Sequence, residues 1–255
     1  MTLNKKLFLA IWLASSLSAL AVLPFAFELQ KSLLQNVPFS LPMLILLSGL
    51  QSAVLFAIVT ALGLFFARRV GFKMPILENL LSHSDTRIEW KHFIVLPVIL
   101  GIITTIVIAF GDWFFTSMGV VINVADTASS IPIWKKFLAS FYGGIGEEVL
   151  MRLFFVSMFV WLFAKITKNS SSLTRNGLVW TAIVIAAVLF GIGHLPATSA
   201  ITELTPLVIA RGVVLNGIAG LVFGWLYWKR GMESAVIAHF TGDIMILIVL
   251  PIILS

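Results

Sequence analysis

Seven apolar runs, each about the length that crosses a bilayer, fill most of this 255-residue chain. The chain is 60% hydrophobic and 11% charged, with a mean hydropathy of +1.07. A soluble domain with one buried core does not have this composition. The expected fold is all-α: a polytopic transmembrane helix bundle of about seven spans, with any active site inside the bundle. There is no cysteine, which excludes disulfides, iron–sulfur clusters and cysteine-protease chemistry. The net charge of +6 does not point to nucleic acid, because the basic residues sit at the ends of the apolar runs.

The runs predict the following order. Lys5-Lys6 precedes a first helix from Leu7 to Phe27. Ala19-Leu20-Ala21 resembles a signal-peptide cleavage site, but the apolar run continues past it, so the helix is read as retained. The second span runs from about Leu41 to Phe66 and stops at Arg68-Arg69. A polar stretch from Val70 to His92 follows, with an apolar patch at Met74–Leu77 and Leu80-Leu81 that suits an interfacial helix. His83 and His92 are read as exposed loop histidines. The third span is Phe93 to about Phe110, kinked at Pro97. A mixed loop, Gly111 to Pro132, carries Asp112 and Asp126. The fourth helix, Trp134 to Lys165, reaches roughly 48 Å at ~1.5 Å per residue, with a bend expected near Gly143-Gly144 or Gly146. The fifth span is Leu178 to His194, the sixth about Pro206 to Trp228, and the seventh Met232 to about Leu254. This divides the chain into an N-terminal part, 1–133, of three spans plus the interfacial loop, and a four-helix core, 134–255. No internal repeat is visible.

Orientation follows from the basic residues. With a cytoplasmic N-terminus, the inner segments hold Lys5, Lys6, Arg68, Arg69, Lys73, Arg87, Lys91, Lys165, Lys168, Arg175, Lys229 and Arg230. The outer segments hold only Lys31, Lys135 and Lys136. This is a positive-inside bias, and the composition suits a bacterial cytoplasmic membrane.

Within the fourth run, Gly143-Gly144-Ile145-Gly146-Glu147-Glu148-Val149-Leu150-Met151-Arg152 places two acids and a guanidinium at membrane depth. Such charges are costly there and face partners or water-filled cavities. Glu148 and Arg152 are four apart and share a helix face, so they can neutralise each other. Glu147 points about 100° away and must face something else. The bland alternative is a polar cluster that glues helices together.

Other polar residues lie deep in the later spans. His194 closes the run Phe190-Gly191-Ile192-Gly193-His194. His239 and Asp243 share one face of the seventh span, where the carboxylate can fix the imidazole tautomer. Arg211 is read as structural, pairing at most with Glu203. Gly217, Gly220 and Gly224 suit close helix packing. Acid and imidazole groups on three helices can activate a water, protonate a leaving amine and stabilise an oxyanion. Glu147, His194, His239 and Asp243 could equally bind Zn²⁺, so the cofactor is either none or Zn²⁺. The zinc-protease His-Glu-x-x-His and the serine-hydrolase Gly-x-Ser-x-Gly are both absent.

Taken together, Glu147-Glu148-x-x-x-Arg152, Phe190-x-x-x-His194 and His239-x-x-x-Asp243 resemble the three-motif signature of the CAAX protease and bacteriocin-processing (CPBP, or Abi) family, which includes the CAAX prenyl proteases. The resemblance covers roughly residues 134–250. It implies an intramembrane endopeptidase acting on peptides or membrane-associated protein tails. Glu147 would be the base that activates water and His194 would hold the same water. Glu148 and Arg152 would orient the site, and His239 and Asp243 would bind the scissile carbonyl and the oxyanion. Prenyl proteases of the family often carry Asn where this chain has Asp243, which leaves Asp243 free to orient His239 or to ligate a metal. Counting ~1.5 Å per residue from the basic side puts Glu148 roughly 26 Å, His194 roughly 28 Å and Asp243 roughly 20 Å deep. For that reason no prenylated substrate is assigned. The implied partners are a peptide or protein substrate and the lipid bilayer. Competing readings are a non-catalytic partner, in sensor-kinase regulation or bacteriocin immunity, and a proton-relay transporter. The missing repeat argues against the transporter.

Overall fold

The computed structural model describes residues 2–34, 37–82, 90–120, 130–168 and 172–254. His83 and Asp126 lie outside the described residues, as does the side chain of His92. The secondary structure of the described residues is helical. Seven segments are long and apolar enough to cross a membrane: Leu3–Leu29, Leu41–Val70, Phe93–Ser117, Ile133–Thr167, Arg175–Ser199, Pro206–Arg230 and Met232–Ile253. These are the seven expected spans. Helices suit lipid because each satisfies its own backbone polar groups.

A short helix is present at Pro75–Ser82, within the stretch where an interfacial helix is expected. It is tied to the start of the seventh span, where Leu77 N–H donates to Glu233 Oε1 at 2.8 Å and Met232 N–H donates to Lys73 O at 3.2 Å. Between the sixth and seventh spans Gly231 adopts φ +101°, and a Cβ there would lie 2.6 Å from Pro75 Cδ. Both the backbone angle and the close approach demand glycine at this turn.

Two expectations need correction. The third helix does not stop at Phe110 but continues to Ser117, so Gly111 and Asp112 are helical and not part of a loop. Nor does Arg211 turn to Glu203: it is ion-paired with Asp112, its Nε donating to Oδ1 at 2.6 Å. An ion pair between the third and sixth spans satisfies both charges, and this removes the apparent helix break that a Gly-Asp step suggests.

The fourth span sits centrally. Its middle packs against the first, second, fifth, sixth and seventh spans. The second span approaches it closely, since a Cβ on Gly63 would lie 2.8 Å from Leu153 Cγ. The fifth and sixth spans pack through Gly220 against Ala187 and Gly224 against Ile183, each with a would-be Cβ at 2.7 Å. Gly217 makes only an ordinary contact at 3.9 Å. Small residues here let backbones approach, which is how helices gain packing energy where lipid supplies no hydrophobic drive. The seventh span packs on the third, the sixth and the first turns of the fourth.

Candidate active site

Around the acidic pair the fourth helix changes its winding. Tyr142–Glu147 and Val149–Val156 are π-helical, with i→i+5 hydrogen bonding. The first of these covers Gly143–Gly146, where a bend is expected. The wider turn follows a stretch with three glycines, Gly143, Gly144 and Gly146, all buried against neighbours. A Cβ on Gly143 would clash with Asp243 Oδ2 and lie 3.0 Å from Asp243 Cγ and 3.1 Å from His239 Nε2. Gly143 is therefore what lets the seventh span bring its polar pair against the fourth.

Glu148 and Arg152 are fully buried and paired, with Oε1 3.2 Å from Nη1. The Arg152 guanidinium also lies 5.1 Å from the Phe190 ring centroid and 5.6 Å from that of Phe223, and its Nη2 donates to Gly220 O at 3.4 Å. A carboxylate, a carbonyl and two aromatic faces offset part of the cost of taking this cation out of water, while Arg152 Nη1 and Glu148 Oε2 make no hydrogen bond among the described residues. Burial and partners make Arg152 a structural element that fixes Glu148.

Glu148 in turn holds His239. The imidazole Nδ1 lies 2.8 Å from Glu148 Oε1, so Nδ1–H donates to the carboxylate. The ring is stacked on Phe223 and meets Phe190 edge-on. Its orientation is thus set by the carboxylate on one edge and by two aromatic rings. Nε2 is aimed at Glu147 Oε2 and Asp243 Oδ1, each 3.6 Å away.

His194 sits at the break between helix Ser172–Gly193 and the short helix Leu195–Ser199. Its Nδ1–H donates to Phe190 O at 2.8 Å, leaving Nε2 directed at Glu147 Oε1, 4.0 Å away. Glu147 therefore has one imidazole beside each carboxylate oxygen. These separations are too long for direct hydrogen bonds but fit a bridging water. Exposure divides the cluster in the same way: Glu147, His194 and Asp243 side chains are 20%, 33% and 24% accessible, whereas Glu148 and Arg152 are sealed. The geometry distinguishes an accessible edge from a buried layer behind it.

All six residues singled out in the sequence, Glu147, Glu148, Arg152, His194, His239 and Asp243, are brought into this one cluster from three spans. Sequence reasoning did not single out Phe223, the carbonyl of Gly220 or the role of Gly143. Phe190 stood in a motif only as the residue four positions before its histidine. As for Zn²⁺, the accessible donors are chemically suitable, but among the described residues no group of three or more is placed to hold a metal ion.

Residues 129–245 match the family model of type II CAAX prenyl endopeptidase Rce1-like proteins. No curated protein and no solved structure matches the chain. The matched stretch contains every residue of the cluster and the three motifs in their order. Over residues 129–245, this integral membrane chain is similar to the type II CAAX prenyl endopeptidase Rce1-like family.

Proposed function

We propose that the chain is an intramembrane endopeptidase in which Glu147 activates water. The observation that carries this reading is the pair of imidazole Nε2 atoms flanking Glu147, at 3.6 and 4.0 Å, on the accessible edge of the cluster. Glu147 takes a proton from a water that His194 Nε2 also holds. The water oxygen attacks the scissile carbonyl carbon, and the carbonyl oxygen becomes an oxyanion. A proton on His239 Nε2 or on Asp243 supplies the donor that the oxyanion needs. Glu147 then passes its proton to the leaving amine, the C–N bond breaks, and a carboxylate and an amine are released.

The substrate class is peptides or membrane-associated protein tails. The 134–255 part is the catalytic core, and the basic helix ends face the cytoplasm. Glu147, His194, His239 and Asp243 are the residues that would hold a Zn²⁺ ion, which would supply Lewis acidity, but as placed they do not gather three donors around one point.

A peptide-library cleavage assay on the detergent-purified chain, with and without chelator, tests this. Cleavage by the native chain that ignores chelator and is lost in Glu147→Ala and His194→Ala is the expected result. Loss with chelator and recovery with Zn²⁺ would replace it with the metal mechanism. Cleavage that persists in Glu147→Ala would overturn the role given to Glu147.

A further inference from the structure

A second polar feature lies away from the acidic cluster, where the second, fourth and fifth spans end together. A cavity of about 480 Å³ opens there, within the range of small-molecule sites. Its polar wall is Arg68, Arg69, Lys168 and Arg175, and its apolar wall includes Val160 and Leu178. No carboxylate among the described residues lines it or is ion-paired with any of the four cations.

Two of the cations are already held in place. Arg175 Nη2 donates to Val70 O at 2.8 Å, and the Arg69 guanidinium lies 3.6 Å from the Phe65 ring centroid. These contacts position the guanidinium groups, and among the described residues no carboxylate compensates their charge. Four like charges around one cavity repel one another, and an anion between them relieves that repulsion.

We infer that this cavity binds the phosphate headgroup of an anionic phospholipid. A basic pocket between spans at a helix-end level suits such a headgroup. The surroundings favour lipid over a free anion: Phe65, Ile166 and Trp180, on the same three spans, are exposed apolar side chains along which acyl chains can run. A free phosphate would use only the polar wall.

The test is native mass spectrometry of the full chain released from detergent with phosphatidylglycerol or phosphatidylcholine at equal mole fraction. Thermal unfolding with phosphatidylglycerol or with inorganic phosphate runs beside it. The site variant is Arg69→Gln with Lys168→Gln. The control is Lys5→Gln with Lys229→Gln, which removes the same charge elsewhere on the basic rim. The expected result is retention of phosphatidylglycerol but not phosphatidylcholine, weakened by roughly fivefold per cation in the site variant and unchanged in the control. Unaltered unfolding of the lipid-free variants shows that they fold. Equal weakening in both variants would mean a diffuse surface field, and equal retention of both lipids would mean no headgroup recognition. Stabilisation by inorganic phosphate matching that by lipid would mean a free-anion site. Any of these three overturns the inference.

Discussion

Glu147 and Glu148, neighbours in sequence, address opposite nitrogens of one imidazole: Glu148 Oε1 is 2.8 Å from His239 Nδ1, and Glu147 Oε2 is 3.6 Å from Nε2. The near contact is a hydrogen bond in a sealed layer. The far one is a gap on the accessible side. Two identical side chains are thereby given different surroundings, one held in the sealed layer and one on the accessible side, which suits the base assigned to Glu147 in the proposed reaction.

Substituting the two acids should separate those tasks. Glu147→Gln is expected to lower turnover by about 10²–10⁴, the usual worth of a general base, with little change in thermal unfolding. Glu148→Gln should lower both, because it leaves the Arg152 charge buried without its counter-ion. Breaking a buried pair typically costs about 3–5 kcal/mol. Unfolding in detergent, measured beside peptide cleavage, checks the pattern. Equal destabilisation by both would contradict it.

The Glu148–Arg152 pair makes a further prediction through a double-mutant cycle. Arg152→Met alone should be strongly destabilising. Combined with Glu148→Gln it should recover part of the loss, since removing both charges leaves neither stranded. Activity should not recover, because His239 would have lost the carboxylate that orients it. Strictly additive stability losses would show that the two groups are not coupled.

At Gly143 a single methyl is expected to be disruptive. Its Cβ would clash with Asp243 Oδ2. Gly143→Ala should therefore displace Asp243 and reduce kcat, whereas Gly177→Ala, where a Cβ meets nothing within 4 Å, should leave turnover unchanged. Comparable kinetics for the two variants would remove the steric argument.

The Asp112–Arg211 pair should matter much less. Its Asp112 side chain is 45% accessible and its Arg211 side chain 23%. Exposed ion pairs contribute about 0–1 kcal/mol, so Asp112→Asn should shift unfolding only slightly. A loss comparable with that of Glu148→Gln would show that this pair is far better shielded than its exposure indicates.

The sequence made the seven spans legible because hydropathy is a property of long segments and does not depend on partners. The charged members of the cluster were legible for a related reason: Glu147, Glu148, Arg152, His239 and Asp243 are conspicuous against apolar neighbours. What stayed hidden was whatever depends on a second helix. Asp112 looked like loop because its partner, Arg211, lies 99 residues away. Phe223 looked like any of the 21 phenylalanines, and nothing local marks the one that stacks on an imidazole. The winding around Glu147 was hidden too, since three glycines announce close approach or bending without saying which.

That winding has a consequence for how the fourth span tolerates change. A π-helical stretch takes up residues at a different angular rate from the α-helices on either side of it, so it sets the rotational phase between Ile133–Phe141 below it in sequence and Ser157–Thr167 above. Removing one residue from an ordinary helix turns everything beyond it by about 100°. Here such a deletion would present the acidic pair and the Leu153 contact with Gly63 to different neighbours at once. The span thus works as a timing element whose residue count, as much as its residue identities, decides which side chains meet.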